Sequence, residues 1–311
     1  MTTAYYSHPA CLAHVNPPGH PEQVARLEHI AAALRGPKFQ ALDRRDAPIC
    51  DPNAPLLAHP AEHVAAIEAA APQTGFAQID ADTSMSAGSL EAARRAVGAS
   101  VAAVDAVLSG EVANAFVGCR PPGHHAEKTR AMGFCLYSNV AISALHALEN
   151  RGLSRVAVVD FDVHHGNGTQ DVLWDEARVR FASSHQMPLY PGSGAPDERG
   201  AHDNILNVPL GDGTGGREMR AQWQGRILPW IAEFQPELIL ISAGFDAHQD
   251  DPLAGLNWST DDFAWLTGQI CDLADKTCDG RVVSALEGGY NLEALAQSTA
   301  AHVRVLMERG A

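Results

Sequence analysis

Chemistry-bearing side chains are densest in Asp160-Phe161-Asp162-Val163-His164, where carboxylates and an imidazole alternate with apolar residues. Alternate side chains at a strand end point the same way, so Asp160, Asp162 and His164 can share one face. A catalytic zinc commonly takes three protein ligands from histidines and carboxylates and keeps a fourth position open for water. Asp162 and His164 supply two of the three. Asp246 is the best third, because it ends an apolar run where a charge otherwise has no reason to sit. Taken singly, Asp162 and Asp246 read more readily as helix N-caps or turn residues. Together with His164 they point to one divalent ion.

Two further groups suit hydrolysis at such an ion. His124 and His125 follow Pro121-Pro122-Gly123, a stretch that fixes a rigid turn. Adjacent loop histidines are as often plain surface residues, but beside a metal they become natural acid/base groups, since imidazole titrates near neutral pH. Asp160 and Asn167 are acceptors that could orient one imidazole each. Tyr290 lies in Glu287-Gly288-Gly289-Tyr290, where the glycines let backbone come close to a ligand. Its phenol could donate to a developing oxyanion, or simply pack under a turn.

These residues need elements to bring them together. Apolar runs at Ala115 to Gly118, Arg155 to Asp160, Val179 to Ser183, Glu237 to Ser242 and Arg281 to Leu286 read as strands buried on both faces. Ser89 to Leu108, Ser138 to Asn150 and Asp261 to Ala274 read as helices between them, with Ser89 as an N-cap. Strand–helix alternation predicts an α/β fold, a three-layer doubly wound and mostly parallel sheet with helices on both faces. Every chemical motif follows one of the strands. In open α/β sheets ligands bind beyond the carboxyl ends of the strands, so the motifs should converge on one crevice.

The 311 residues show no repeat, low-complexity tract or linker, and a single domain over 1–311 is expected. With Lys+Arg 22 against Asp+Glu 37, the net charge of -15 argues against direct nucleic-acid binding and would attract cationic substrates. No secretory signal is visible in Met1 to Pro9, and no window is apolar enough to span a membrane. Cys11, Cys50, Cys119, Cys135, Cys271 and Cys278 form no CxxC pair and read as reduced thiols, so a cytoplasmic setting is expected. A homo-oligomer is compatible with the sequence.

Pro-Pro-Gly-His-His, Asp-x-Asp-x-His-His-Gly-Asn-Gly, Ala-Gly-Phe-Asp-Ala and Glu-Gly-Gly-Tyr occur in the order seen in the histone deacetylase superfamily, and His20-Pro-Glu-Gln-Val-Ala-Arg-Leu resembles that family's opening signature. The resemblance runs from about His8 to Tyr290. Asn167, where class I enzymes carry Asp, makes the chain similar to class II and its bacterial relatives. The resemblance implies the arginase/deacetylase fold and one Zn2+ on Asp162, His164 and Asp246. It further implies His125 as general base and then acid, His124 with Asp160 as electrostatic partner, and Tyr290 as carbonyl polariser. Gly133, Phe134 and Tyr190 would line an acyl-lysine tunnel, Gly288 and Gly289 would lie beside the substrate, and Asp82 would be a rim carboxylate gripping substrate amides. A structural K+ would use oxygens of Asp160, Asp162, His164, Ser183 and Ser184.

The implied substrate is an acyl-lysine peptide or a small acyl-amine. Leu253 stands where polyamine-selective relatives place an acidic gatekeeper, which favours acyl-lysine. His248, Asp250 and Asp251 lie close enough in sequence to keep acetylpolyamines in play. An arginase-like dimanganese ureohydrolase would need extra bridging carboxylates, and Asp246 is followed by Ala-His instead. A non-catalytic acyl-binding protein would have no use for the Tyr290 phenol.

Overall fold

A computed structural model describes residues 2–311. The apolar runs form the middle of a sheet built from β1 (Thr3–Ser7), β2 (Asp43–Asp46), β5 (Asn114–Val117), β6 (Val156–Asp160), β7 (Val179–Gln186), β8 (Ile205–Leu210), β9 (Leu238–Ala243) and β10 (Val282–Leu286), while β3 (Phe76–Gln78) and β4 (Ser84–Ser86) pair separately as an antiparallel hairpin. The eight strands lie in the order β2-β1-β5-β10-β9-β6-β7-β8, and every pairing is parallel. β5, β6, β9 and β10 are buried along their whole length, as apolar side chains on both faces require.

The helices are α1 (Ala25–Leu34), α2 (Ala61–Ala70), α3 (Ser89–Leu108), α4 (Asn139–Glu149), α5 (Asn167–Leu173), α6 (Gly216–Gln222), α7 (Leu228–Phe234), α8 (Thr260–Thr277) and α9 (Leu292–Gly310). α3, α4 and α5 cover one face of the sheet; α9, flanked by α1 and α8, covers the other with α7. The expected three layers are therefore present. α8 begins with a capping box in which Ser259 and Asp262 satisfy each other's backbone amides. Ser89, expected as an N-cap, is instead the first helical residue. Its hydroxyl accepts from Ser86 N (2.7 Å) and pairs with His14 Nδ1 (2.6 Å), so it ties the β3–β4 hairpin to α3.

Register decides where the chemistry falls. Asp160 on β6 lies beside Ser183 on β7 and Ser242 on β9, and Leu286 on β10 lies beside Ala243. The strand ends thus form one edge, and the loops that leave it carry Arg120 to His125, Phe161 to Asn167, Gly244 to Asp246 and Glu287 to Tyr290. β9 and β10 fill the gap that the chain leaves when it passes from β5 to β6.

Candidate metal centre and catalytic pocket

Beyond the β6 and β9 ends, one atom each from Asp162, His164 and Asp246 lies within 4.8 Å of the others, and all three residues are buried. His164 Nδ1 sits 3.0 Å from Asp162 Oδ1 and 3.2 Å from Asp246 Oδ2. Backbone amides steady the carboxylates: His164 N and Gly288 N donate to Asp162, and Val163 N donates to Asp246 Oδ1 at 2.9 Å. Asp246 Oδ2 is buried without a hydrogen-bond partner. Buried charges are normally paired or bound to metal. Burial disfavours a charge on His164, yet the two carboxylates outweigh it and push the imidazole up to about 10. Two carboxylates and an imidazole demanding positive charge suit a divalent ion, zinc in particular.

Glycines keep this cradle open. A methyl at Gly288 would collide with Asp246 Oδ2, and one at Gly244 with Asp162 Oδ2. Gly288 and Gly289, expected beside the substrate, also have structural partners. Gly288 backs the metal cluster, while Gly289, at φ +119°, gives its carbonyl to Arg26 Nε at 2.7 Å.

The histidine pair arrives on the loop after β5. Glu287 Oε2 accepts from Gly123 N (2.7 Å) and His124 N (3.1 Å), which fixes that loop against the β10 end. His124 Nδ1 lies 3.0 Å from Asp160 Oδ2, and its Nε2 lies 3.7 Å from Asp162 Oδ2. His125 Nδ1 lies 2.7 Å from Asn167 Oδ1. Burial opposes a proton on His124, but the charges of Asp162 and Asp160 overcome it and hold the imidazole well above its usual range. For His125, burial and the nearby charges of His124 and His164 act together and hold it well below. The two rings are therefore set apart, one cationic and one neutral with a free lone pair, which is the signature of divided acid and base roles.

A cavity of about 220 Å³ ends on these groups. His125, His164 and Tyr290 stand at its inner end; Gly133, Phe134, Leu189, Tyr190 and Leu253 supply the walls, and Asp82 reaches it as well. Gly133 (φ +55°) and Phe134 (φ +70°) are both left-handed, a rare state for a bulky residue. Asp82 holds that turn by accepting from Gly133 N (3.1 Å), and Thr83 Oγ1 accepts from Phe134 N (3.0 Å). One oxygen of Asp82 thus serves the wall. Phe134 meets the Tyr290 ring edge-on at 5.9 Å. Burial and Asp246 hold the Tyr290 phenol well above its usual range, so it stays a donor. Larger clefts elsewhere, such as one of about 620 Å³ beside Tyr6, Arg45, Arg151 and Arg281, contain no metal-ligand cluster among the described residues.

Several supporting residues were not assigned these roles from sequence. Asp251 accepts from Tyr290 N (2.7 Å), Asn291 N (3.3 Å) and Leu253 N (3.0 Å), and burial pushes its carboxyl up to about 6. It ties two cavity walls together, so it is not the free charge that a distal ammonium would need. Arg26 bonds the Gly289 carbonyl and stands 5.1 Å over the Tyr290 ring, with Glu22 bridging it to Arg120. Both Glu22 and Arg26 lie in the His20-Pro-Glu-Gln-Val-Ala-Arg-Leu segment, which was the available signal. Asn167 Nδ2 donates to Glu127 Oε1 at 2.7 Å, an acceptor that no motif singled out. Ser183 and Ser184 hydroxyls are engaged by His185 Nδ1 and Trp223 Nε1.

Comparison with known proteins decides the family: the histone deacetylase domain matches residues 20–306. The chain belongs to the histone deacetylase family. It is similar to the histone deacetylase-like amidohydrolase of Pseudomonas aeruginosa, 38% identical over 89% of this chain and 75% of that relative. It is likewise 38% identical to histone deacetylase 14, chloroplastic, of Arabidopsis thaliana, over 97% of this chain and 76% of that one. The crystal structure of the HDA15 HD domain superposes with a TM-score of 0.94 at 34% identity, covering 99% of this chain and 89% of the other. The histone deacetylase fold of this family member is thus shown, as the resemblance implied.

Proposed function

We propose that this histone deacetylase family member is a zinc-dependent amidohydrolase that removes acyl groups from N-ε-acyl-lysine side chains or related acyl-amines. One observation carries the reading: a narrow apolar cavity ends on a buried donor cluster flanked by a neutral histidine and a protonated phenol. Such a cavity accepts an unbranched chain and places its amide at the inner end.

Asp162, His164 and Asp246 would hold the ion. When bound, zinc supplies Lewis acidity, polarising the amide carbonyl and lowering the pKa of water toward ~7. His125 takes the proton from the attacking water, because its free nitrogen is uncharged. Tyr290 donates a hydrogen bond to the carbonyl oxygen as negative charge builds there. His124, kept cationic by Asp162 and Asp160, adds a fixed positive charge beside His125 and the ligand cluster. His125 then returns its proton to the departing amine.

Potassium belongs to the same proposal. Backbone or side-chain oxygens of Asp160, Asp162, His164, Ser183 and Ser184 would carry it, with the Ser183 and Ser184 hydroxyls each already holding one partner. A single ligand cluster among the described residues supports one catalytic ion over the arginase-like pair. Six free, buried thiols support a reducing, cytoplasmic setting. Among the described residues no helix is long and apolar enough to cross a membrane.

Acetylpolyamine hydrolysis is the second reading, and Leu253 in the wall speaks against it because it offers a distal ammonium no charge. A panel of acetyl-, longer-acyl- and trifluoroacetyl-lysine peptides beside acetylputrescine and acetylspermidine tests both. The proposal expects higher kcat/KM on the lysine substrates. Preference for the polyamines would reassign the substrate, and no hydrolysis of any by zinc-loaded protein would overturn the function.

A further inference from the structure

We propose that Glu127 is a positioning residue that fixes the tautomer of His125 through Asn167. Three groups lie in a row. Glu127 Oε1 is 2.7 Å from Asn167 Nδ2, and Asn167 Oδ1 is 2.7 Å from His125 Nδ1. An amide side chain has two faces of different chemistry, and turning it over exchanges a donor for an acceptor. An ionised carboxylate only accepts, so the amide atom facing Glu127 has to be the NH2 group. Asn167 then presents oxygen to His125, and oxygen only accepts as well. His125 Nδ1 must therefore carry the hydrogen, which leaves the lone pair on Nε2, the ring nitrogen not bonded to Asn167.

Nothing else next to Asn167 decides its orientation so firmly. Its second amide hydrogen points to Met132 Sδ at 3.4 Å, a weak acceptor. The bond to Glu127 is charge-assisted and roughly twice as strong as a neutral one. The backbone holds the row in register independently of these side chains. His124 O accepts from both Gly168 N (2.9 Å) and Thr169 N (3.1 Å), and Gly168 passes so close to Ala126 that a methyl there would strike its backbone. A tight turn from Glu127 N to Arg130 O (2.9 Å) fixes the start of the row. Use of the Nε2 lone pair as a base rests on the function proposed above; the tautomer does not.

The test reads both. Two-bond 1H–15N spectra of 15N-histidine-labelled protein, with His125 assigned by its absence in His125→Asn, report the tautomer directly. Wild type should show His125 protonated at Nδ1. Glu127→Ala should shift it to a mixture, and Glu127→Gln, which keeps an acceptor oxygen, should restore the wild-type signature. A His125 signal unchanged in Glu127→Ala, or protonated at Nε2 in wild type, overturns the proposal.

The kinetic arm compares two backgrounds. In wild type, Glu127→Ala should lower kcat on an acyl-lysine peptide by about tenfold or more, a fraction of what a general base contributes, with KM nearly unchanged. In Asn167→Asp the new carboxylate accepts from Nδ1 without needing orientation and faces Glu127 as a like charge. There Glu127→Ala should leave kcat unchanged or raise it. Equal losses in both backgrounds mean that Glu127 is only structural. Wild type inactive on every acyl-amide would remove the proposed function while the spectra still decide the tautomer.

Discussion

Asp246 Oδ2 lies 3.2 Å from His164 Nδ1 and has no hydrogen-bond partner, although it is buried. Its companion Oδ1 takes the Val163 amide, so the carboxylate is anchored on one side and left demanding on the other. Elsewhere in the site Asp251 serves the Tyr290 and Leu253 amides and Asp82 the Gly133 amide, while Glu287, whose Oε2 takes the Gly123 and His124 amides, also keeps its Oε1 buried without a partner. What sets the Asp246 oxygen apart is its place beside His164 Nδ1 and the Asp162 carboxylate, where a cation would satisfy it.

Removing that oxygen should remove the metal. Asp246→Ala is expected to weaken zinc binding by more than about 100-fold, the upper end of what loss of a mere supporting partner costs. Elemental analysis after gel filtration checks it. Retention of one equivalent of zinc would remove Asp246 from the ligand set.

The cradle itself is testable without touching a ligand. Gly288→Ala pushes a methyl against Asp246 Oδ2 and Asp162 Oδ2, so the variant should fold yet bind zinc poorly. Gly225→Ala, in open space on a helical segment, is the control that should bind normally. Equal zinc content in the two variants would show that Gly288 has no part in the site.

Tyr290→Phe keeps the ring between Phe134 and Arg26 and deletes only the donor. Loss of one oxyanion donor typically lowers kcat by about 10²–10³. The variant should fall by that amount with zinc content and KM little changed. Full activity would mean that the phenol merely packs.

Acid should destabilise the fold through its buried neutral histidines. His302, bonded to Thr267 Oγ1 (2.7 Å) and Ser284 Oγ (2.9 Å), is pushed down to about 3 by burial alone. Its folded value lies below the unfolded 6.5, so its contribution is intact above pH 6.5 and drains away as pH falls from there toward 3. The loss approaches about 1.4 kcal/mol per pH unit for that one group. Denaturant midpoints between pH 7 and pH 5 should therefore fall less steeply in His302→Gln than in wild type. Parallel slopes would contradict the assignment.

Much of this was legible in the sequence, and the misses share a cause. Strands buried on both faces announce themselves by apolar runs, and β5, β6, β9 and β10 fall within about a residue of where those runs place them. The edges do not. β2 is Asp-Arg-Arg-Asp, an edge strand whose charges guard it against further pairing, and β8 carries Pro209 on the opposite edge. β1 mixes small, polar and aromatic residues, because its tyrosines reach out toward arginines.

In the site, Asp162, His164, Asp246, His124, His125 and Tyr290 converge where motif and strand end agreed. Glu127 and Arg26 were not assigned a role, and Asp251 was read only as a possible charge for a polyamine, because their partners here are backbone or amide groups far away in the chain. Sequence spacing carries no trace of such contacts.

The most direct measurement of the central claim is release of free carboxylic acid from an ε-acyl-lysine peptide, followed before chelation, after chelation and after adding one equivalent of zinc. The account predicts stoichiometric release, loss with the chelator and recovery at one ion per chain. Protein carrying one zinc on Asp162, His164 and Asp246 that releases no acid from any acyl-amine would contradict it.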